Sequence, residues 1–228
     1  MHFAQFFKVI ELMGEDWAKD LVHVPFGTVS IDGAKLATRT GNVILLEDIF
    51  KEATEKTLAI INEKNPNLEN KAEVAEAVGV GAIVFHYLSN TRMKDINFVM
   101  EDALSFDGNT GPYVQYTYAR ACSILSRAND TEVSSDVSIT TEEEAALVKT
   151  LCRFGERVCS AIEDYEPSYI TRFILDVATA FNRFYHNCPI LSAEDASVRA
   201  TRLKLTEATK LVLGNAFDLI CLRKTEKV

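Results

Sequence analysis

With 228 residues and 47% apolar content, the chain has enough core-forming side chains for one large domain or two small ones. Its net charge of −9 excludes a general nucleic-acid coat protein, whose affinity comes from cations neutralising phosphates, and leaves open a selective RNA binder with a small local basic site. Five cysteines without C-x-x-C spacing argue against a disulfide framework or a zinc site.

Further exclusions follow from the pattern. No window approaches the roughly 18 consecutive apolar residues of a membrane span, and the start lacks a basic segment followed by an apolar run and a cleavage site. The expectation is a cytoplasmic monomer with reduced thiols, no metal, and neither DNA nor a membrane as partner.

From His2 to Gly14, Phe3, Phe6, Phe7, Val9, Ile10, Leu12 and Met13 sit at helical spacing, with Gly14 as C-cap. After a turn containing Trp17, Leu21–Val24 and Thr28–Ile31 read as two short strands, which cannot make a stable sheet by themselves. These first ~45 residues therefore read as the tail of a larger α/β domain that begins outside this chain. The polar stretch from Asp32 to Asn42 has glycines at both ends and two cations inside. It is either a solvated hairpin or a loop that closes over a polyphosphate.

From Leu46 the pattern is almost wholly helical. One helix spans Glu47 to Asn62, and after the Asn65-Pro66-Asn67 break another spans Lys71 to Ser89. The Gly79-Val80-Gly81 pair inside the second costs ~1 kcal/mol per glycine relative to alanine, which predicts a close backbone approach or a bend. His86 has no carboxylate or cysteine at metal-ligand spacing and is read as structural. Arg92 to Phe98 reads as a short extended piece.

The chain is organised around Phe106 to Arg127. Gly111 is an acceptable N-cap and Pro112 suits the first helical position. Advancing ~100° per residue gathers Val114, Tyr118, Ala121, Cys122 and Leu125 on a core face, and Tyr113, Tyr116, Arg120, Ser123 and Arg127 on the opposite side. Rings that stack on unpaired bases, with arginines for phosphates or base edges, are how proteins hold single-stranded RNA loops. A helix buried on both sides of a bundle fits the same pattern.

Beyond the polar Asn129–Ser138 loop, Thr140 or Thr141 with Glu143 or Glu144 offers a capping box for one helix running through Leu147, Leu151, Val158 and Ile162. Pro167 opens a helix with Ile170, Phe173, Ile174, Val177, Phe181 and Phe184 facing the core and Arg172, Asn182 and Tyr185 at its edges. A last helix runs from Asp195 through Leu219. Antiparallel packing of these helices would bring Arg120 to Tyr185.

Three stretches carry a family resemblance across essentially the whole chain. Phe106 to Tyr116 is similar to the F-E-G-N-T-x-P-Y-x-Q-Y segment of bacterial arginyl-tRNA synthetases, which are class I enzymes. His23 to Gly27 followed by Lys35 to Gly41 resembles their K-M-S-K-S loop region, and Phe181 to Tyr185 with Arg202 to Asn215 resembles their closing helices. The resemblance implies a mainly α fold: a helical anticodon-binding bundle over 109–228, a helical connecting segment over 47–108, and a small α/β remnant of a Rossmann-type catalytic domain over 1–46. It also implies arginine tRNA as partner, held by Asn109, Tyr113, Gln115, Tyr116, Arg120, Arg127 and Tyr185.

In the complete enzyme the Lys35, Thr38, Arg39 loop would meet the phosphates of ATP, accompanied by Mg2+, while arginine is adenylated. Thr38 stands where the second lysine of the motif would be, and which cation meets the phosphates is open. No H-I-G-H segment occurs in the chain, so the expectation is a part that binds tRNA but does not catalyse and holds no ATP by itself. The competing reading is a helical protein-interaction module with the Tyr113 and Tyr116 face as its hot spot.

Overall fold

The computed structural model describes residues 2–35, 44–128 and 138–227. Helix α1 (His2–Leu12) leads to a 3-10 turn at Asp16–Asp20. Strands β1 (Val29–Ile31) and β2 (Ala34–Lys35) precede helices α2 (Leu46–Lys64) and α3 (Lys71–Ser89), strand β3 (Ile96–Phe98) and the short α4 (Met100–Ala103). Then come α5 (Gly111–Ser126), α6 (Glu142–Leu151), α7 (Phe154–Glu163), α8 (Ser168–Asn187) and α9 (Ala196–Leu219).

The sheet has the order β2-β1-β3. Ile31 pairs with Ala34 across a two-residue turn in which Asp32 and Gly33 both have positive φ, the geometry that an Asp-Gly pair favours. On its other edge β1 runs parallel to β3, Val29 opposite Ile96 and Ile31 opposite Phe98. The expected strand at Leu21–Val24 is absent, and Val22 and Val24 are exposed. The partner that β1 needs comes instead from the extended piece ending at Phe98, which local pattern could not reveal. Asp95 fastens the junction by accepting from both the backbone N–H and the hydroxyl of Thr28, each at 2.7 Å.

Helices α2 and α3 pack so closely that a Cβ on Gly79 would lie 2.8 Å from the Ala53 carbonyl oxygen. Gly81 is pinned on another side, where a Cβ would stand 3.0 Å from Gln115 Oε1. The glycine pair thus serves close approach, the first of the two expected alternatives.

The main core joins α5, α6, α8 and α9 around Val114, Leu147, Phe173, Phe181, Phe184 and Phe217. All six apolar positions expected to face inward on α8 are buried. The single helix expected beyond Thr141 is two. The N–H of Arg153 bonds to Thr150 O three residues back at 3.2 Å, which tightens the chain at Cys152-Arg153 and lets α7 start on a new axis. The capping box at its start is present, with Thr141 Oγ1 accepting from the Glu144 N–H and Glu144 reaching back to the Thr141 N–H.

Glu144 does more than cap. Its side chain is fully buried and accepts from Arg202 Nε at 2.7 Å, while Arg202 also donates to Pro189 O at 2.7 Å. Burial opposes the charge on Glu144, but the N–H of Thr140, the Arg202 guanidinium and the N–H of Thr141 outweigh it and hold the carboxyl below its usual range. His86 packs edge-on against Phe98 at 5.4 Å, and burial lowers its pKa against the pull of Asp102. It is a structural histidine.

Candidate nucleic-acid interface

The start of α5 sets the orientation of everything on it. Thr110, not Gly111, is the N-cap: its Oγ1 accepts from the Tyr113 N–H at 3.3 Å and donates to Ser105 O at 2.5 Å. Glycine has no side-chain acceptor for that purpose. Gly111 is needed one position later, where a Cβ would stand 2.9 Å from Gly81 O.

With α5 fixed in this way, Val114, Tyr118, Ala121 and Cys122 enter the core and Tyr116 is left 45% exposed. The Arg120 guanidinium carbon lies 4.9 Å from the ring centroid of Tyr116 and 4.9 Å from that of Tyr185 on α8. A planar cation is held over two half-exposed rings, an arrangement that attraction to each ring's π-face stabilises.

Asn182 locks the group. Its Oδ1 accepts from Arg120 Nη1, and its Nδ2 donates to the Tyr113 hydroxyl at 2.9 Å and to Thr117 Oγ1 at 3.1 Å. Arg120 and Tyr185 therefore meet as the pattern suggested, although the contacts advance in the same sense along both helices, from Tyr113 with Asn182 to Arg120 with Tyr185, rather than antiparallel. Asn182 was placed only at a helix edge by periodicity. Its position three residues before Tyr185 was the available signal.

The remaining expected residues divide. Asn109 is exposed two residues before α5, and Arg127 is exposed at its end. Gln115 does not join the interface. It is completely buried, with its amide donating to Ala77 O at 3.1 Å and Arg223 O at 2.9 Å, so it bolts α5 to α3 and to the C-terminal segment. Position 115 lies on the side of the helix that faces α3, where its amide adds a donor to an α3 carbonyl and to one in the irregular C-terminal segment while its Oε1 is buried without a partner. Lys35 closes β2, paired with Ser30, whereas Thr38 and Arg39 lie outside the described residues.

The aromatic-arginine platform thus lies on a helical bundle that follows a small sheet with a parallel strand pair. Residues 114–228 match the family model of the DALR anticodon binding domain, and residues 1–100 match that of the catalytic domain of class I (R) tRNA synthetases. The chain belongs to the arginyl-tRNA synthetase family, of which it carries the C-terminal portion.

It is 48% identical over 229 aligned residues to the arginine–tRNA ligase of Clostridium beijerinckii, and 49% identical over 231 to that of Clostridium perfringens. All of this chain aligns in both cases, and it spans 41% of each relative's length. Among solved structures, the arginyl-tRNA synthetase of Thermus thermophilus superposes with a TM-score of 0.86 at 33% identity, over 92% of this chain and 36% of that one. That of Plasmodium falciparum superposes at 0.81 and 26% identity, over all of this chain and 39% of its own.

Proposed function

We propose that the chain binds arginine tRNA by its anticodon loop, with unpaired bases stacking at Tyr116, Tyr185 and Tyr113 and with Arg120 contributing charge and hydrogen bonds. The observation that carries this is the Arg120 guanidinium lying over two half-exposed tyrosine rings on different helices. Asn109 and Arg127 flank the platform and reach the adjoining backbone. The platform is small and local, which is how a chain of net charge −9 can hold an RNA.

Within the ligation of arginine to its tRNA with ATP, this chain's own residues bind and orient the RNA. The Lys35 to Arg39 loop would bring a cation to the ATP phosphates, whose Mg2+ shares that charge; of that loop only Lys35 lies among the described residues. The chain as it stands binds tRNA without forming arginyl adenylate. Arginine-dependent pyrophosphate exchange by the purified chain would contradict that.

The test of the binding proposal is the affinity for arginine tRNA against the same tRNA with its anticodon bases changed, at two salt concentrations. Tight binding that collapses on the change, with a shallow salt slope, is expected. Binding indifferent to the anticodon and to Tyr116→Ala would favour the protein-interaction reading.

A further inference from the structure

A recess of about 430 Å³ opens beside the start of α5, lined by Asn109, by Arg157 on α7, and by Arg172, Asp176 and Thr179 on successive turns of α8. Three arginines at the surface of this acidic protein find a carboxylate: Arg153 meets Glu156, Arg183 meets Glu143 and Arg223 meets Glu76. Among the described residues, the side chains of Arg157 and Arg172 make no hydrogen bond and no ion pair, although Asp176 shares their recess, as does Tyr169, whose ionised form the Arg172 charge favours. Two guanidiniums that line one concavity, neither committed to a carboxylate, leave their planar forks of donors available to an anion. Their charge with that of Asp176 leaves +1, which a phosphodiester balances.

Asn109 ties this recess to the interface, because it stands two residues before the helix that carries Tyr113 and Tyr116. Resting on the tRNA-binding reading above, we propose that the recess seats one backbone phosphate of the bound RNA, with Arg157 and Arg172 on its oxygens and the Asn109 amide and Thr179 hydroxyl as further donors. The recess sets the register of the strand and does not read its bases, since phosphate contacts position while base contacts specify.

The test uses the whole chain and full-length arginine tRNA. Replacing both arginines, R157Q with R172Q, should weaken binding about tenfold and flatten the slope of log affinity against log salt by about 0.7, the value for one single-strand phosphate contact. The ratio of affinities for the correct and the altered anticodon should stay as in the parent. The paired lysine variant, R157K with R172K, keeps the charge and should restore the parent slope, which separates a phosphate contact from damage to the fold.

An unchanged slope in the glutamine variant, or failure of the lysine variant to restore it, overturns the proposal. A parent chain that binds arginine tRNA with anticodon discrimination while ignoring both substitutions sinks the recess alone. A parent chain that does not bind arginine tRNA sinks the reading on which it rests.

Discussion

Asn182 accepts from Arg120 and donates to the Tyr113 hydroxyl, so one amide at an edge of α8 fixes a cation and a ring carried by α5. The amide meets its partners from both ends and has no freedom to turn. The placement of Arg120 over Tyr116 and Tyr185 is therefore built before any RNA arrives, which lowers the ordering cost of binding.

Arg120→Lys should fail to rescue Arg120→Ala. An ammonium keeps the charge but loses the plane that lies over two rings and the fork that engages Asn182. Both variants should lose at least tenfold in affinity for arginine tRNA, measured by filter binding, with circular dichroism unchanged. Near-parental binding by the lysine variant would show that charge alone suffices.

Asn182→Ala removes the partner of three groups while leaving the rings in place. Unfolding free energy should fall by about 1–3 kcal/mol, the cost of leaving half-buried polar groups without partners. Affinity for arginine tRNA should fall as well, because Arg120 is released. Urea titration and RNA binding on the same preparation separate the two effects.

The Glu144–Arg202 pair gives a pH prediction. The carboxyl is held below its unfolded value of about 4.5, so the unfolded chain takes up a proton first as pH falls. Stability from this group is complete above about 4.5 and is lost as pH drops through the folded value. Arg202→Met should cost about 3–5 kcal/mol at neutral pH, since it leaves a buried carboxylate unpaired, and much of that penalty should vanish in acid. A penalty independent of pH in urea melts would mean that packing dominates.

Gly79→Ala tests the α2–α3 contact. Helix propensity alone would favour alanine by about 1 kcal/mol, but the new methyl would lie 2.8 Å from the Ala53 carbonyl oxygen. Overpacking of this kind costs about 1–3 kcal/mol, so the melting temperature should fall rather than rise.

The amino-acid pattern by itself determined most of the long helices and much of their inward faces, though not the break between α6 and α7. Lys71 to Ser89 and the six apolar positions of α8 were readable because helical periodicity is local and a buried stripe repeats it. It also placed Tyr116 and Arg120 on an outer face.

Three things depended on residues far apart in the chain. The partner of β1 lies at Ile96–Phe98, across two intervening helices, where no local alternation could announce it. The side of α5 that meets α3 decided that Gln115 is a buried bolt and not part of the exposed face, because burial depends on which neighbour arrives and not on residue type. Which side chains share a site was likewise a matter of packing: the crossing of α5 and α8 put Arg120 over Tyr185, and the packing of α7 on α8 left Arg157 and Arg172 lining one recess.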